Sequence, residues 1–180
     1  MRIRTWLSMG LLTIACLPLG GCPQRIRIPV EFSLEGGLGT FEVQAGVPKS
    51  NHGPYNYTGQ RINVGSGSVT IDLDDITVTP ADGGGGKGTV NLQGGTLTVT
   101  AWIAPADEVD TVCETGEEHG PFSVELDENN QPVSIDPSSV PLSENTLDLI
   151  NGGTFSLCIE VVSPIDGTVT IDALSFSLGL

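Results

Sequence analysis

Nine carboxylates lie in the stretch from Asp107 to Glu128, and they are the residues best placed to bind a cation. The candidate ligands are Asp107, Glu108, Asp110, Glu117 and Glu118. Calcium takes roughly six to eight oxygens, which carboxylates converging from loops can supply. The spacing does not match an EF-hand loop. The stretch therefore predicts either a calcium site or a solvated acidic loop.

Histidine and cysteine offer little further chemistry. A Ser-His-Asp arrangement needs a histidine held by a carboxylate, and His52 and His119 both lie in turn-like stretches beside Gly and Pro that predict exposed loops. We therefore assign no catalytic residue and expect no enzyme activity. Cys113 and Cys158 predict a disulfide in an exported chain. The alternatives are two free thiols or a zinc site that adds His119, although the spacing of that site matches no zinc motif.

Three aromatic residues could bind a ligand by stacking. Tyr55 and Tyr57 lie in a polar segment, and Trp102 is out of phase with the apolar positions around it, which predicts an outward indole. Packing in the core or at a bulge is the alternative for Trp102. The segment from Gly167 to Leu174 resembles the last strand of jelly-roll carbohydrate-binding modules. The resemblance covers few residues and implies a glycan as ligand.

The composition excludes two classes of protein. The chain of 180 residues has 22 acidic and 7 basic residues, and its formal net charge is −15. Nucleic acid is excluded as a partner because phosphate binding requires clustered Lys and Arg. Charged residues make up 16 % of the chain, against about 25 % in an average soluble domain. A bundle of long Glu/Lys/Ala helices is therefore excluded as well.

The first 22 residues predict export. Arg2 and Arg4 form a basic start, an apolar stretch follows, and Leu19-Gly20-Gly21-Cys22 resembles the lipobox of bacterial lipoproteins. The resemblance implies cleavage before Cys22 and acylation of that residue, and two or more acyl chains anchor a protein stably. Modification at Cys16, or cleavage that releases a soluble protein, is the alternative. Pro23 stands where an Asp would favour the inner membrane, so we expect the outer membrane.

Hydrophobic periodicity predicts strands. Apolar residues alternate over 69–78, 155–161 and 169–178, with phase shifts near Asp75 and Asp172 that predict bulges. The alternation places Asp72 and Asp74 on an outer face, solvated or bound to a cation. Further strands are predicted over the ranges 26–34, 40–44, 122–126 and 133–136.

The sequence predicts two local motifs, a β-hairpin and a short helix, at the level of single residues. A two-residue Gly94-Gly95 loop predicts a hairpin in which Val90 faces Val99. The same register places Lys87 opposite Trp102, where a cation-π contact would also explain an outward indole. A helix of one or two turns is predicted between Ser143 and Asn151, with Ser143 as its N-cap and Gly152 closing it.

These patterns predict an all-β fold: an antiparallel β-sandwich, jelly-roll or Ig-like, or a small barrel, with at most one short helix. We expect a signal peptide over 1–21, a lipidated tether over 22–30 and one sandwich domain over 31–180. The predicted function is structural or interaction-based in the cell envelope, with the membrane, and an envelope protein or extracellular glycan, as partners. A calcium-assisted binding module for carbohydrate or another polymer is the alternative. No other cofactor is expected.

Overall fold

A computed structural model describes residues 26–33, 38–63, 67–81, 94–136 and 140–179. These residues form nine strands and two helices: β1 (Ile26–Ser33), β2 (Thr40–Val43), β3 (Lys49–Asn56), β4 (Ser68–Pro80), β5 (Thr96–Ala104), α1 (Val112–Thr115), β6 (Glu117–Leu126), β7 (Pro132–Asp136), α2 (Glu144–Gly152), β8 (Thr154–Val162) and β9 (Gly167–Gly179). The all-β prediction is confirmed. Within the described ranges, neither helix has the length and apolar character needed to cross a bilayer.

The strands form two antiparallel sheets. In sheet 1, β9 is central: β4 pairs along one edge, while β1 and β2 lie end to end along the other. In sheet 2 the order is β3-β8-β5-β6-β7. Sheet 1, with β2, β9 and β4, thus faces sheet 2, with β3, β8, β5 and β6. Between the described strands, the chain crosses from one sheet to the other four times, after β2, β3, β4 and β8. This is the connectivity of a jelly roll, with β7 remaining on sheet 2 beside β6.

The core lies between the sheets and is built from the alternating apolar positions that the sequence shows. In β4, Val69 and Ile71 are buried, and the buried phase then changes so that Val78 faces the core. Strand β9 changes phase at the same level, from Val169 to Phe176. The pairing register is constant along both strands, so the shifts compensate each other. The prediction of a bulge, an extra residue on one strand only, is therefore wrong here.

The predicted hairpin is also wrong. Val99 in β5 pairs with Phe122 of β6 on one side and with Val161 of β8 on the other. An interior strand has no edge left for a further partner, so Val90 cannot pair with Val99. Trp102 likewise has neighbours on both sides, which excludes a position for Lys87 opposite it. The remainder of that proposed strand lies outside the described residues.

Helix α2 confirms the predicted start. Ser143 is the N-cap, and its side chain accepts a hydrogen bond from the backbone N–H of Thr146 at 3.2 Å. The helix ends one residue later than predicted, because Gly153 takes the left-handed conformation at φ 86°. Helix α1, a single turn, is additional to the predicted helix. At the other end of the chain, β1 begins at Ile26, inside the range 22–30 predicted to be a tether.

Candidate functional site

The densest polar contacts surround Glu117, at the start of β6. Its carboxylate accepts hydrogen bonds from the backbone N–H of Ser143 at 2.9 Å and from the hydroxyl of Thr146 at 2.6 Å. The Ser143 hydroxyl also donates to it, and the Nε2 atom of His119 lies 3.6 Å from Oε1. We call these four residues the Glu117 cluster. The cluster joins β6 to the N-terminus of α2.

His119 is completely buried in β6, so the prediction of an exposed loop is wrong for this residue. It pairs with Ala101 of β5, and within the described chain neither ring nitrogen has a hydrogen-bond partner. His52 is exposed as predicted, but it lies on strand β3 rather than in a turn. Burial lowers the pKa of His119 below its ordinary value of 6.5, and the nearby Glu117 carboxylate opposes this shift without cancelling it.

The Glu117 carboxylate is held in its charged form. Partial burial raises its pKa, but the hydrogen bonds from Ser143 and Thr146, together with the charge of His119, outweigh burial and hold the pKa below its ordinary 4.5. In a catalytic triad the histidine bonds both the hydroxyl and the carboxylate. Here Glu117 itself accepts the hydroxyls, and His119 lies on its other oxygen. The arrangement suits a clamp on α2 better than a proton relay.

We expect His119 to make the fold sensitive to acid. The unfolded chain takes up a proton as the pH falls through about 6.5, whereas the folded chain takes it up only at lower pH. Stability is therefore full above pH 6.5 and falls below it, with a slope of up to about 1.4 kcal/mol per pH unit. Urea denaturation between pH 7.5 and 5 measures this slope.

The two histidines provide a matched pair for that measurement. His119→Gln should flatten the slope, and His52→Gln, at an exposed position, should leave it unchanged. An equal slope in all three proteins would contradict the assignment to His119.

The five predicted calcium ligands are not brought together as one set. Asp107, Glu108 and Asp110 lie in the turn between β5 and α1, where Glu108 accepts a hydrogen bond from Thr115 at 3.0 Å. Glu117 and Glu118 are neighbours on β6 and point to opposite faces. Nowhere in the described ranges do three or more Asp, Glu, His or Cys side chains group as metal ligands.

Cys113 and Cys158 form the predicted disulfide, with their Cα atoms 5.3 Å apart. The zinc alternative with His119 therefore does not form. The bond joins α1 to β8 on the outer face of sheet 2, where Ala104 and Val112 make a small second apolar cluster around Cys158. We call this the disulfide cluster. Trp102 packs against it and is half-buried, so its predicted outward phase is correct, but the indole is partly covered.

The two candidate tyrosines belong to the core and do not form an exposed platform. Tyr55 lies on β3 with its ring centroid 5.3 Å from that of Phe155. Tyr57 is buried, meets Phe176 edge-on at 6.4 Å and donates its hydroxyl to the backbone oxygen of Gln60. Burial raises the pKa of Tyr57. The part of the polar segment that ends at Asn56 belongs to strand β3, which is not among the predicted strands.

Asp72 is buried rather than solvated. It lies on the outer side of β4 and accepts a hydrogen bond from the hydroxyl of Ser177. Among the residues that the structure describes, its other oxygen and the hydroxyl of Ser175 have no hydrogen-bond partner. The prediction of a solvated outer aspartate is therefore wrong for Asp72, and the side chain of Asp74 lies outside the described parts of the chain.

A groove of about 490 Å³ lies at the turn between β2 and β3. Its walls are Glu42, Val43, Gln44, Val47, Pro48 and Lys49. Lys49 supplies a cation and Glu42 a carboxylate that already accepts a hydrogen bond from Thr168. This lining offers no pair of groups of the kind that acid-base catalysis uses.

No family model, curated protein or solved structure matches the chain. The interpretation of its sites therefore rests on their geometry. Cys22, the predicted lipidation site, lies outside the described residues.

Proposed function

We propose that this protein is an exported, lipid-anchored component of the bacterial cell envelope with a structural or interaction role. The observation that carries the proposal is the disulfide between Cys113 and Cys158. Disulfides persist in oxidising compartments and are rare in the cytosol. The bond therefore supports the export that the first 22 residues predict, and acylation of Cys22 would retain the exported chain at a membrane.

An interaction role, rather than catalysis, is supported by the way the polar groups are used. The Glu117 carboxylate contacts three donors that belong to α2 and its N-cap. A carboxylate with a lowered pKa that is already bonded in this way is a poor general base. The cluster thus contributes to the stability of the sandwich, whose surface would contact a partner.

Lipidation can be tested on the full chain expressed in a bacterium with two membranes. We expect the mature protein to begin at Cys22, to carry acyl chains by mass spectrometry and to fractionate with the outer membrane. Cys22→Ser should abolish both acylation and processing, whereas the matched variant Cys16→Ser should change neither. Unmodified cytosolic protein that retains Met1 would overturn the proposal, and loss of acylation in Cys16→Ser alone would move the site.

The alternative is a calcium-assisted carbohydrate module. The jelly-roll connectivity and the half-buried Trp102 favour it, but a fold shared by many activities carries little weight by itself. If the protein does not bind calcium, millimolar calcium should shift its melting temperature by less than about 1 °C. A bound ligand at about 100 times its Kd would stabilise the fold by about 2.7 kcal/mol, which would shift the melting temperature severalfold more. A rise of several degrees that EDTA reverses, or glycan binding that Trp102→Ala abolishes, would favour the alternative.

A further inference from the structure

One end of the sandwich is defined by where the chain enters it. Strand β1 begins at Ile26, opposite Leu178, and β4 begins at Ser68, opposite Gly179. Sheet 2 reaches the same end, because the ring of Tyr57 contacts Phe176 of β9. We call this the proximal end. It comprises the starts of β1 and β4, the end of β9, the loop 57–63 and helix α2.

Two hydrogen-bonded contacts hold the proximal end together. The backbone N–H of Tyr57 donates to the carbonyl of Gly153 at 2.8 Å. The Asn151 side chain bonds both the N–H and the carbonyl of Ile62, at 2.7 and 3.0 Å. The loop 57–63 and α2 are therefore fixed to each other. The turns after β2, β6 and β8 lie at the opposite, distal end, where Ala45 donates to Asp166.

The chain between Cys22 and Ile26 is short, consisting of residues 23–25. Four Cα–Cα steps span at most about 14 Å in any conformation. The sandwich is longer than this tether, because β9 from Gly167 to Leu178 measures about 36 Å at ~3.3 Å per residue. An acyl chain on Cys22 therefore holds the proximal end near the bilayer. Because the sandwich cannot enter the bilayer, the rest of it extends away from the membrane surface.

Charged residues of both signs occur at the proximal end. The sequence after Cys22 contains 5 basic residues, of which Arg25 and Arg27 flank Ile26. Arg61, which is exposed, lies in the loop 57–63 that leads to sheet 1. Basic residues are attracted to an anionic headgroup layer. The same end also carries carboxylates, those of 107–110 on the sheet 2 side and those of the exposed Glu144 and Asp148 on α2. The orientation therefore rests on the short tether and not on charge.

We propose that the proximal end is the surface that faces the lipid headgroups, and that the distal turns are presented away from the membrane. The inference rests on the proposed lipid anchor. It assigns a membrane-facing surface to the sandwich, whereas the proposed function states only that an anchor exists.

Energy transfer from a labelled site to headgroups tests the orientation. The acylated protein is placed in phosphatidylethanolamine-phosphatidylglycerol vesicles that contain a trace of acceptor lipid, with a donor dye on Gly152→Cys at the proximal end or on Glu128→Cys at the distal end. A side chain at Gly152 meets no atom within 4 Å, and Glu128 is exposed. We expect transfer from position 152 to exceed transfer from position 128 severalfold.

A spacer variant is the control. Twenty Gly/Ser residues inserted after Gln24 would have an average reach of about 25 Å and should largely remove the difference between the two dyes. Equal transfer from both positions, or greater transfer from position 128, in protein shown by mass to be acylated would overturn the orientation and leave the anchor intact. Protein without acyl chains would remove the anchor, and the inference would fall with it.

Discussion

Loss of the bond between Cys113 and Cys158 is expected to lower the free energy of unfolding by about 4 kcal/mol, because the bond closes a loop of 45 residues in the unfolded chain. The variant is Cys113→Ala with Cys158→Ala, and the measurement is urea denaturation of the mature domain at pH 7.5. Trp102, the one tryptophan that follows Cys22 in the sequence, packs against the disulfide cluster and reports the transition.

The reduced wild-type protein and the double variant together distinguish the stability that the cross-link contributes from the stability that packing of the sulfur atoms contributes. The reduced wild-type protein loses the bond but keeps both sulfur atoms, so it should lose most of the same stability. The double variant should lose somewhat more, because Cys158 is fully buried and its sulfur fills space in the disulfide cluster. A loss below about 1 kcal/mol in reduced wild type would show that the bond contributes little, against the loop-entropy expectation.

Glu117→Gln is expected to lower the free energy of unfolding by about 1.5–3 kcal/mol, the range for hydrogen bonds to a charged group. The amide keeps one oxygen but loses the charge, and its NH₂ group faces the donors of Ser143 or Thr146. The loss should be localised: amide hydrogen exchange should accelerate most in α2, whose N-cap Ser143 depends on this carboxylate.

Glu118→Gln is the matched control, since it removes the same charge from the next residue of β6. Glu118 is exposed on the outer face of sheet 2, opposite Trp102, so the change should alter stability by less than about 0.5 kcal/mol. Equal effects of the two substitutions would indicate a general charge effect and contradict the clamp. The acid sensitivity that Glu117 contributes should appear only below pH 4.5, because its folded pKa is lowered.

Strands with alternating apolar residues could be predicted from the sequence, whether they lie inside a sheet or at its edge, and β3 could not. Strand β8 alternates clearly, and Phe155, Leu157 and Ile159 are all buried. Strand β3 shows no such pattern because most of its side chains are exposed, and pairing with β8 supplies its order. Its sequence, with Gly53 and Pro54, is typical of a turn, and only the tertiary pairing decides otherwise.

The candidate sites likewise combine local features that the sequence predicts with contacts that only the tertiary structure creates. The capping signal at Ser143 is local and was predicted correctly. The partner of that cap, Glu117, is 26 residues away in sequence, and nothing in the spacing distinguishes it from the other carboxylates of the acidic stretch. His119 and Tyr57 are buried by strands from other parts of the chain. The disulfide could be predicted because, once Cys22 is assigned to lipid and the first 21 residues to a signal peptide, two cysteines remain and they have one intramolecular pairing.

The central position of β9 sets the order in which this molecule can be completed. Throughout the described chain, β1, β2 and β4 each form their ladder with β9, so Ile28 must wait for Phe176, which is synthesised much later. Contacts this remote in sequence form slowly. Sheet 1 therefore stays incomplete until β9 has been synthesised. On the proposed export route, the chain would still be unfolded enough to pass through a secretion channel.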